Sequence, residues 1–145
     1  MVNSGFKQIH RDRKKLGLSM VLGGCGTSLE ELTGLFCSIA NNGSFVPLHY
    51  TTTTGPQAET RILSREACYM LHEMLSKTDR PDLPLSWGNT ESLPRIAWKT
   101  GTSYGRRDAW SIGYNQQYTI GVWMGNFSGK GVPALSGATI ATPLL

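Results

Sequence analysis

Acidic residues are sparse in this chain: ten Asp and Glu face fourteen Lys and Arg, and charge of both signs fills only 17% of 145 positions. With 39% hydrophobic residues alongside, the composition is not that of a disordered, charge-rich segment. Long apolar runs are also missing. Gly, Asn or Pro interrupts each weakly charged stretch before it reaches the ~18 to 20 apolar residues of a membrane span, so no anchor is expected within these residues. The opening Met1-Val2-Asn3-Ser4-Gly5 has no apolar run of a secretory leader, and the compartment is not legible from it. Cysteines are few and odd in number, Cys25, Cys37 and Cys68, without the close pairs of a zinc site, so no metal is expected. Cys37 and Cys68 fall within apolar helical patterns and read as buried thiols, with one disulfide left open. His10, His49 and His72 stand too far apart to make a triad or a metal site legible.

What is present suits one ordered domain. The net charge of +4 is concentrated in His10-Arg11-Asp12-Arg13-Lys14-Lys15. Lacking interleaved aromatics or a nucleic-acid module, this cluster reads as a solvated helix face, and no nucleic-acid partner is expected. A helix is expected from Phe6 to Leu16, stopped by Gly17. Thr27 and Glu30 have the spacing of a reciprocal capping box, and Leu29, Leu32, Leu35, Phe36, Ile39 and Ala40 then recur at helical period up to Asn41-Asn42-Gly43. Ser44 to Thr54, with its four threonines, reads as one minor strand. Ser64 caps a further helix whose stripe is Ala67, Met70, Leu71, Met74 and Leu75, the methionines filling core. Thr78 to Arg95, with Pro81, Pro84, Pro94 and Gly88-Asn89, reads as a long loop.

From Arg95 the period changes to two. Ile96 and Trp98 alternate with Ala97 and Lys99 in one strand. Asp108 to Tyr114 forms a second, with Trp110, Ile112 and Tyr114 on one face and Ala109, Ser111 and Gly113 on a small-residue face suited to close contact with a helix. Asn115-Gln116-Gln117 reverses into a third strand, Tyr118 to Met124. The fold class is therefore α/β of the α+β type, helices packed on an antiparallel sheet. A last helix is expected to begin within Pro133 to Ala141. The chain stops at Leu145 while still apolar, which predicts truncation.

The chemistry concentrates in Lys99-Thr100-Gly101-Thr102-Ser103. Lys-Thr-Gly closing a strand is one signature of penicillin-recognising serine acyl enzymes. Physically, an ammonium beside two hydroxyls offers charge and oriented donors to a carboxylate, and Gly101 lets an extended peptide approach the strand edge. The longer run from Ile96 to Tyr114, then Val122-Trp123-Met124-Gly125-Asn126, Leu16-Gly17-Leu18, the helix from Leu29 to Gly43, and Ser136-Gly137-Ala138 resemble class A, bifunctional penicillin-binding proteins in the same order along the chain.

This resemblance implies a partial penicillin-binding, serine β-lactamase-like transpeptidase domain, of which residues 1–145 would be the C-terminal portion. It implies a D,D-transpeptidase in which a serine attacks the D-Ala-D-Ala bond of a peptidoglycan stem peptide, a second stem amine resolves the acyl enzyme, and β-lactams acylate the same serine. No cofactor is implied. Lys99 would support proton transfer and substrate charge, Thr100 and Thr102 would bind the terminal carboxylate, and the Thr102 N–H would be an oxyanion donor; Asp108 and Trp110 look structural. The parent protein would act on the outer face of the bacterial cytoplasmic membrane, in the periplasm, held by an upstream anchor and preceded by a glycosyltransferase domain. Two family signatures are absent. None of the six asparagines has a serine two positions before it, and the sole formal Ser-x-x-Lys, Ser4-Gly5-Phe6-Lys7, precedes Leu16-Gly17-Leu18, where the family has already passed its nucleophile. The expectation is a chain lacking the nucleophile-bearing portion and inactive alone. A serine β-lactamase relative and a non-catalytic cell-wall or partner-binding module are the alternatives. Gly125 to Gly131 imitates a phosphate loop but is one residue short and ends without its Ser or Thr.

Overall fold

A computed structural model describes residues 4–52, 55, 58–77, 80, 82–83 and 95–145. Phe6 and Ile9 are buried, and between them the chain enters α1, Lys7–Asp12. This helix is shorter than the Phe6 to Leu16 expected. No apolar side chain follows Ile9 until Leu16, so a further turn would bury nothing; the chain instead folds back through Lys15 and Leu16 N–H donors to Asp12 O. The basic run is exposed as expected. A 3-10 turn, Leu18–Leu22, leads through the glycine-rich link to α2, Leu29–Ala40.

A capping box starts α2, one residue later than the sequence spacing suggested. Ser28 Oγ accepts from Glu31 N, and Glu31 Oε2 accepts from Ser28 N, both at 3.1 Å. Thr27-Ser28 offers two adjacent hydroxyls, each with a glutamate three residues on. The choice falls to Glu31 because its other oxygen also accepts the Lys7 N–H at 2.9 Å, tying α1 to α2. Gly43 N–H closes the far end on Ser38 O at 2.8 Å. Cys37 is exposed, contrary to expectation, because the buried line of α2 runs through Gly34 and Ser38.

The expected strand from Ser44 is only β1, Ser44–Phe45, paired antiparallel with β2, Thr60–Arg61, which the sequence pattern had not announced. Thr53 and Thr54 lie outside the described residues. Ser64 caps α3, Arg65–Ser76, through a 3.2 Å bond from Ala67 N. Met70 and Met74 do not fill core: both are exposed, because α3 turns Cys68, with Leu71, His72 and Leu75, inward. The proline-rich stretch to Arg95 lies almost wholly outside the described residues.

The period-two segments form one antiparallel sheet in the order β3 (Ala97–Thr102), β4 (Asp108–Tyr114), β5 (Thr119–Gly125). Its Ile112 face is covered by α2 and α3, with Tyr114 edge-on to Phe36 at 6.3 Å and tilted against His72 at 5.8 Å. Burial raises the Tyr114 phenol above its ordinary pKa, and the neighbouring Cys68 adds to it. The small-residue face, Ala109 and Ser111, receives the chain's last residues, a single π-type turn at Gly137–Ala141 and a 3-10 turn at Thr142–Leu144. Ala109, Leu135 and Ala141 are buried together there, with Val122 and Met124 against them. The fold is thus α+β, helices on an antiparallel sheet, with β3 as an outer strand among the described residues.

Candidate active-site strand

Lys99, Thr100, Gly101 and Thr102 end β3, and the register Lys99↔Ile112, Thr100↔Ser111, Gly101↔Trp110, Thr102↔Ala109 sets their faces. Pleating puts Lys99 and Gly101 on the α2/α3 side and Thr100 and Thr102 on the side of the C-terminal turns. The expected cluster of ammonium and two hydroxyls is therefore divided by the strand. What it shares is an edge. Ser103 N–H donates to Asp108 O at 2.9 Å, which fixes the hydrogen-bonding phase: Lys99, Gly101 and Ser103 bond inward to β4. The N–H and C=O groups of Thr100 and Thr102 then point outward. Lys99 Nζ bends over this edge and donates to Thr100 O at 2.7 Å.

Beneath the strand, a polar chain holds Thr102. Its Oγ1 accepts from Gly137 N at 3.0 Å; Thr142 Oγ1 donates to Gly137 O at 2.9 Å and lies 3.3 Å from Ser111 Oγ, with Ser111 and Thr142 both buried. With its oxygen already accepting a hydrogen bond, the Thr102 hydroxyl keeps its proton to donate outward. Gly137 has to be glycine for this contact, since a Cβ there would lie 2.5 Å from Gly101 O and 2.6 Å from Trp110 O. Arg80 fastens the same layer, donating to Thr142 O at 3.0 Å, pairing with Asp82 at 2.7 Å and lying 5.9 Å from the Trp98 ring. The sequence reading did not assign roles to Ser111, Gly137, Thr142 or Arg80. Their only signal was Ser136-Gly137-Ala138 and the small residues of β4, which marked close packing without naming what packs.

Exposed cations surround the edge: Lys99, Arg106 and Arg107, with Asp108 committed to Trp123 Nε1 at 3.0 Å. Such a strand can add an extended peptide by main-chain pairing and draw a carboxylate by charge and hydroxyl donation. Ser4 is only 1% exposed while Lys7 points to solvent, so the formal Ser-x-x-Lys does not present an accessible nucleophile. The phosphate-loop look-alike is a turn, closed by Gly129 N to Asn126 O at 2.8 Å.

Solved structures share this architecture. Penicillin-binding protein A of M. tuberculosis, solved as an imipenem acyl enzyme, superposes with a TM-score of 0.58 at 19% identity, over 83% of this chain and 30% of that one. A peptidoglycan glycosyltransferase of Burkholderia ambifaria superposes at 0.50 with 20% identity, over 83% and 40%. The fold is that of penicillin-binding proteins, and sequence identity of 38% over 88% of its length to a curated relative places the chain in that family as a class A-like member. Among its relatives, penicillin-binding protein 1C of Escherichia coli is 38% identical over 131 residues, 88% of this chain. The run from Lys99 to Trp110, with Tyr104-Gly105-Arg106-Arg107, and the ending Ala141 to Leu145 resemble the 1C type as well. Penicillin-binding protein 4 of Bacillus subtilis is 29% identical over 74% of the chain. The chain spans 16% and 19% of the lengths of these two relatives. No protein-family model matches it.

Proposed function

We propose that this chain is the C-terminal, carboxylate-binding portion of a peptidoglycan D,D-transpeptidase domain. The observation that carries the reading is the Lys99 to Thr102 edge strand, with Thr100 and Thr102 main-chain groups turned outward and the Thr102 hydroxyl held from below by Gly137. A stem peptide ending in D-Ala-D-Ala would lie along this edge, its carboxylate met by Thr100 and Thr102 and by the Lys99 charge. Gly101 leaves room for that approach. The Thr102 N–H would stabilise the tetrahedral oxyanion, a role worth about 10² to 10³ in rate where tested in a serine protease.

The nucleophilic serine and its lysine would come from the portion of the domain that carries Ser-x-x-Lys and Ser-x-Asn. Serine attack would expel the terminal D-Ala, and a stem-peptide amine from a second strand would take over the acyl group. A β-lactam would acylate the same serine and stay. Such a parent would act on the outer side of the cytoplasmic membrane through an upstream anchor; no helix among the described residues is long and apolar enough to cross a membrane.

The test pairs binding with mass. Titrating the chain with acetyl-D-Ala-D-Ala should move the amide resonances of Thr100, Gly101 and Thr102, and Thr102→Val should weaken the response. Intact mass after excess benzylpenicillin should be unchanged. A stoichiometric adduct lost in Ser4→Ala would overturn the division of the site, and a peptide that leaves these three amides unmoved would overturn the strand's role.

A further inference from the structure

Gly101, Trp110 and Trp123 stand in one cross-strand row on the face that carries Lys99. The Trp110 and Trp123 centroids are 6.4 Å apart, and Phe127, just beyond β5, continues the row at 5.4 Å from Trp123 while 98% exposed. Trp123 is held in a particular way. A Cβ on Gly125 would fall 2.5 Å from Trp123 Cζ2 and 3.0 Å from Cε2, so the indole lies directly over the bare backbone of Gly125. Its Nε1–H is pinned by Asp108 Oδ1 at 3.0 Å, which gives Asp108 a definite task. One indole face is thus supported by main chain, the ring cannot swing away, and Trp110 and Trp123 are both only half-buried.

Trp98, on the opposite face of the sheet, ends in the core. Here three rings lead outward from the peptide-binding strand across the sheet. Neighbouring strands are ~4.8 Å apart, so the row begins one strand away from Gly101 and reaches a second. We propose that Trp110, Trp123 and Phe127 form a stacking platform for the neutral sugar rings of the glycan to which a stem peptide is attached. This rests on the peptidoglycan reading above. An N-acetylated pyranose has an apolar C–H face for a supported ring and no charge to be repelled by Lys99, Arg106 or Arg107. Continuity with the β3 edge favours the glycan over an unrelated protein partner, since one substrate would then cover both surfaces.

The test uses the sugar without the peptide. The full chain is titrated with the N-acetylglucosamine tetramer while tryptophan fluorescence and amide resonances are followed. Saturable binding is expected to shift the Trp110, Trp123 and Phe127 amides and leave Thr100 and Thr102 unmoved. Phe127→Ala, at a side chain too exposed to matter for folding, should weaken binding about tenfold, the scale of one lost stacked ring, and Trp123→Leu at least as much. Tyr69→Ala, an exposed aromatic on α3, should change nothing. No saturable response, or one indifferent to Phe127→Ala, overturns the platform. If acetyl-D-Ala-D-Ala still engages Thr100 to Thr102 in that case, the platform alone has failed; if neither probe binds, the peptidoglycan reading has failed with it.

Discussion

Between Ala97 and Leu145 buried apolar side chains occur in every layer, among them Trp98, Ala109, Ile112, Tyr114, Leu135 and Ala141, whereas among the described residues between Ser4 and Lys77 the apolar side chains buried to that degree are Phe6, Ile9 and Cys68. In the first region the sheet is packed on both faces, and polar groups beneath β3 are satisfied by one another. In the second, Leu18 and Leu22 are 90% and 92% exposed, and the elements are joined through local polar devices such as the Glu31 bonds to Ser28, Thr27 and Lys7. The sheet region carries both the core and the candidate site. The helical region contributes α2 and α3 as a cover for one face, and its own order depends on caps and on that contact.

Substitutions in the two regions should therefore differ in kind. The largest effect is expected from Ile112→Ala, which empties the centre of the covered face and should cost about 2 to 5 kcal/mol in urea unfolding. A cost below about 1 kcal/mol would show that the sheet does not carry the stability assigned to it. Gly137→Ala should come next, at about 1 to 3 kcal/mol, because the added methyl meets the Gly101 and Trp110 carbonyls. The same variant should weaken acetyl-D-Ala-D-Ala binding, since Thr102 would lose its support; unchanged peptide binding would separate the turn from the site.

Ser28→Ala acts in the helical region and removes one hydrogen bond of the capping box, with an expected loss of about 1 kcal/mol. Hydrogen exchange should rise within the first turn of α2 and leave β4 untouched. The smallest effect concerns pH. Burial pushes the Glu31 carboxyl up, but the N–H groups of Lys7 and Ser28, the Thr27 hydroxyl and the Lys7 charge together hold it below its ordinary value. A folded-state value below the unfolded one means that the contribution is complete above the ordinary carboxylate range and fades as pH falls through the lowered folded value. Urea midpoints measured from pH 7 to pH 3 should fall slightly more steeply for the native chain than for Glu31→Gln. Parallel slopes would remove Glu31 from the junction of α1 and α2.

Much of the candidate site's placement on one strand was legible from sequence because it is local. Lys99 to Thr102 lie on consecutive residues of a strand whose alternation is visible from Ile96, and Asp108 to Tyr114 has the observed bounds of β4. The same locality explains Ser64 as a cap and Asn41-Asn42-Gly43 as a stop. The limits were equally physical. Sequence placed the Lys99 ammonium beside the threonine hydroxyls, while the pleat sends them to opposite faces and leaves the main-chain edge as their common ground.

Period, capping residues and turn chemistry were enough to place α2, α3 and the three strands of the sheet, because each depends on neighbours within about one or two turns of chain, but they announced neither β2 nor the turn at Leu18–Leu22. Tertiary structure decided the remainder. Glu31 was selected over Glu30 by Lys7, α3 turned Cys68 inward and Met74 outward, Gly137 was fitted under Gly101, and Trp123 was laid over Gly125 with Asp108 as its pin. Each of those outcomes is set by close contact between atoms, most often on different elements, and a one-dimensional pattern does not encode which surfaces meet.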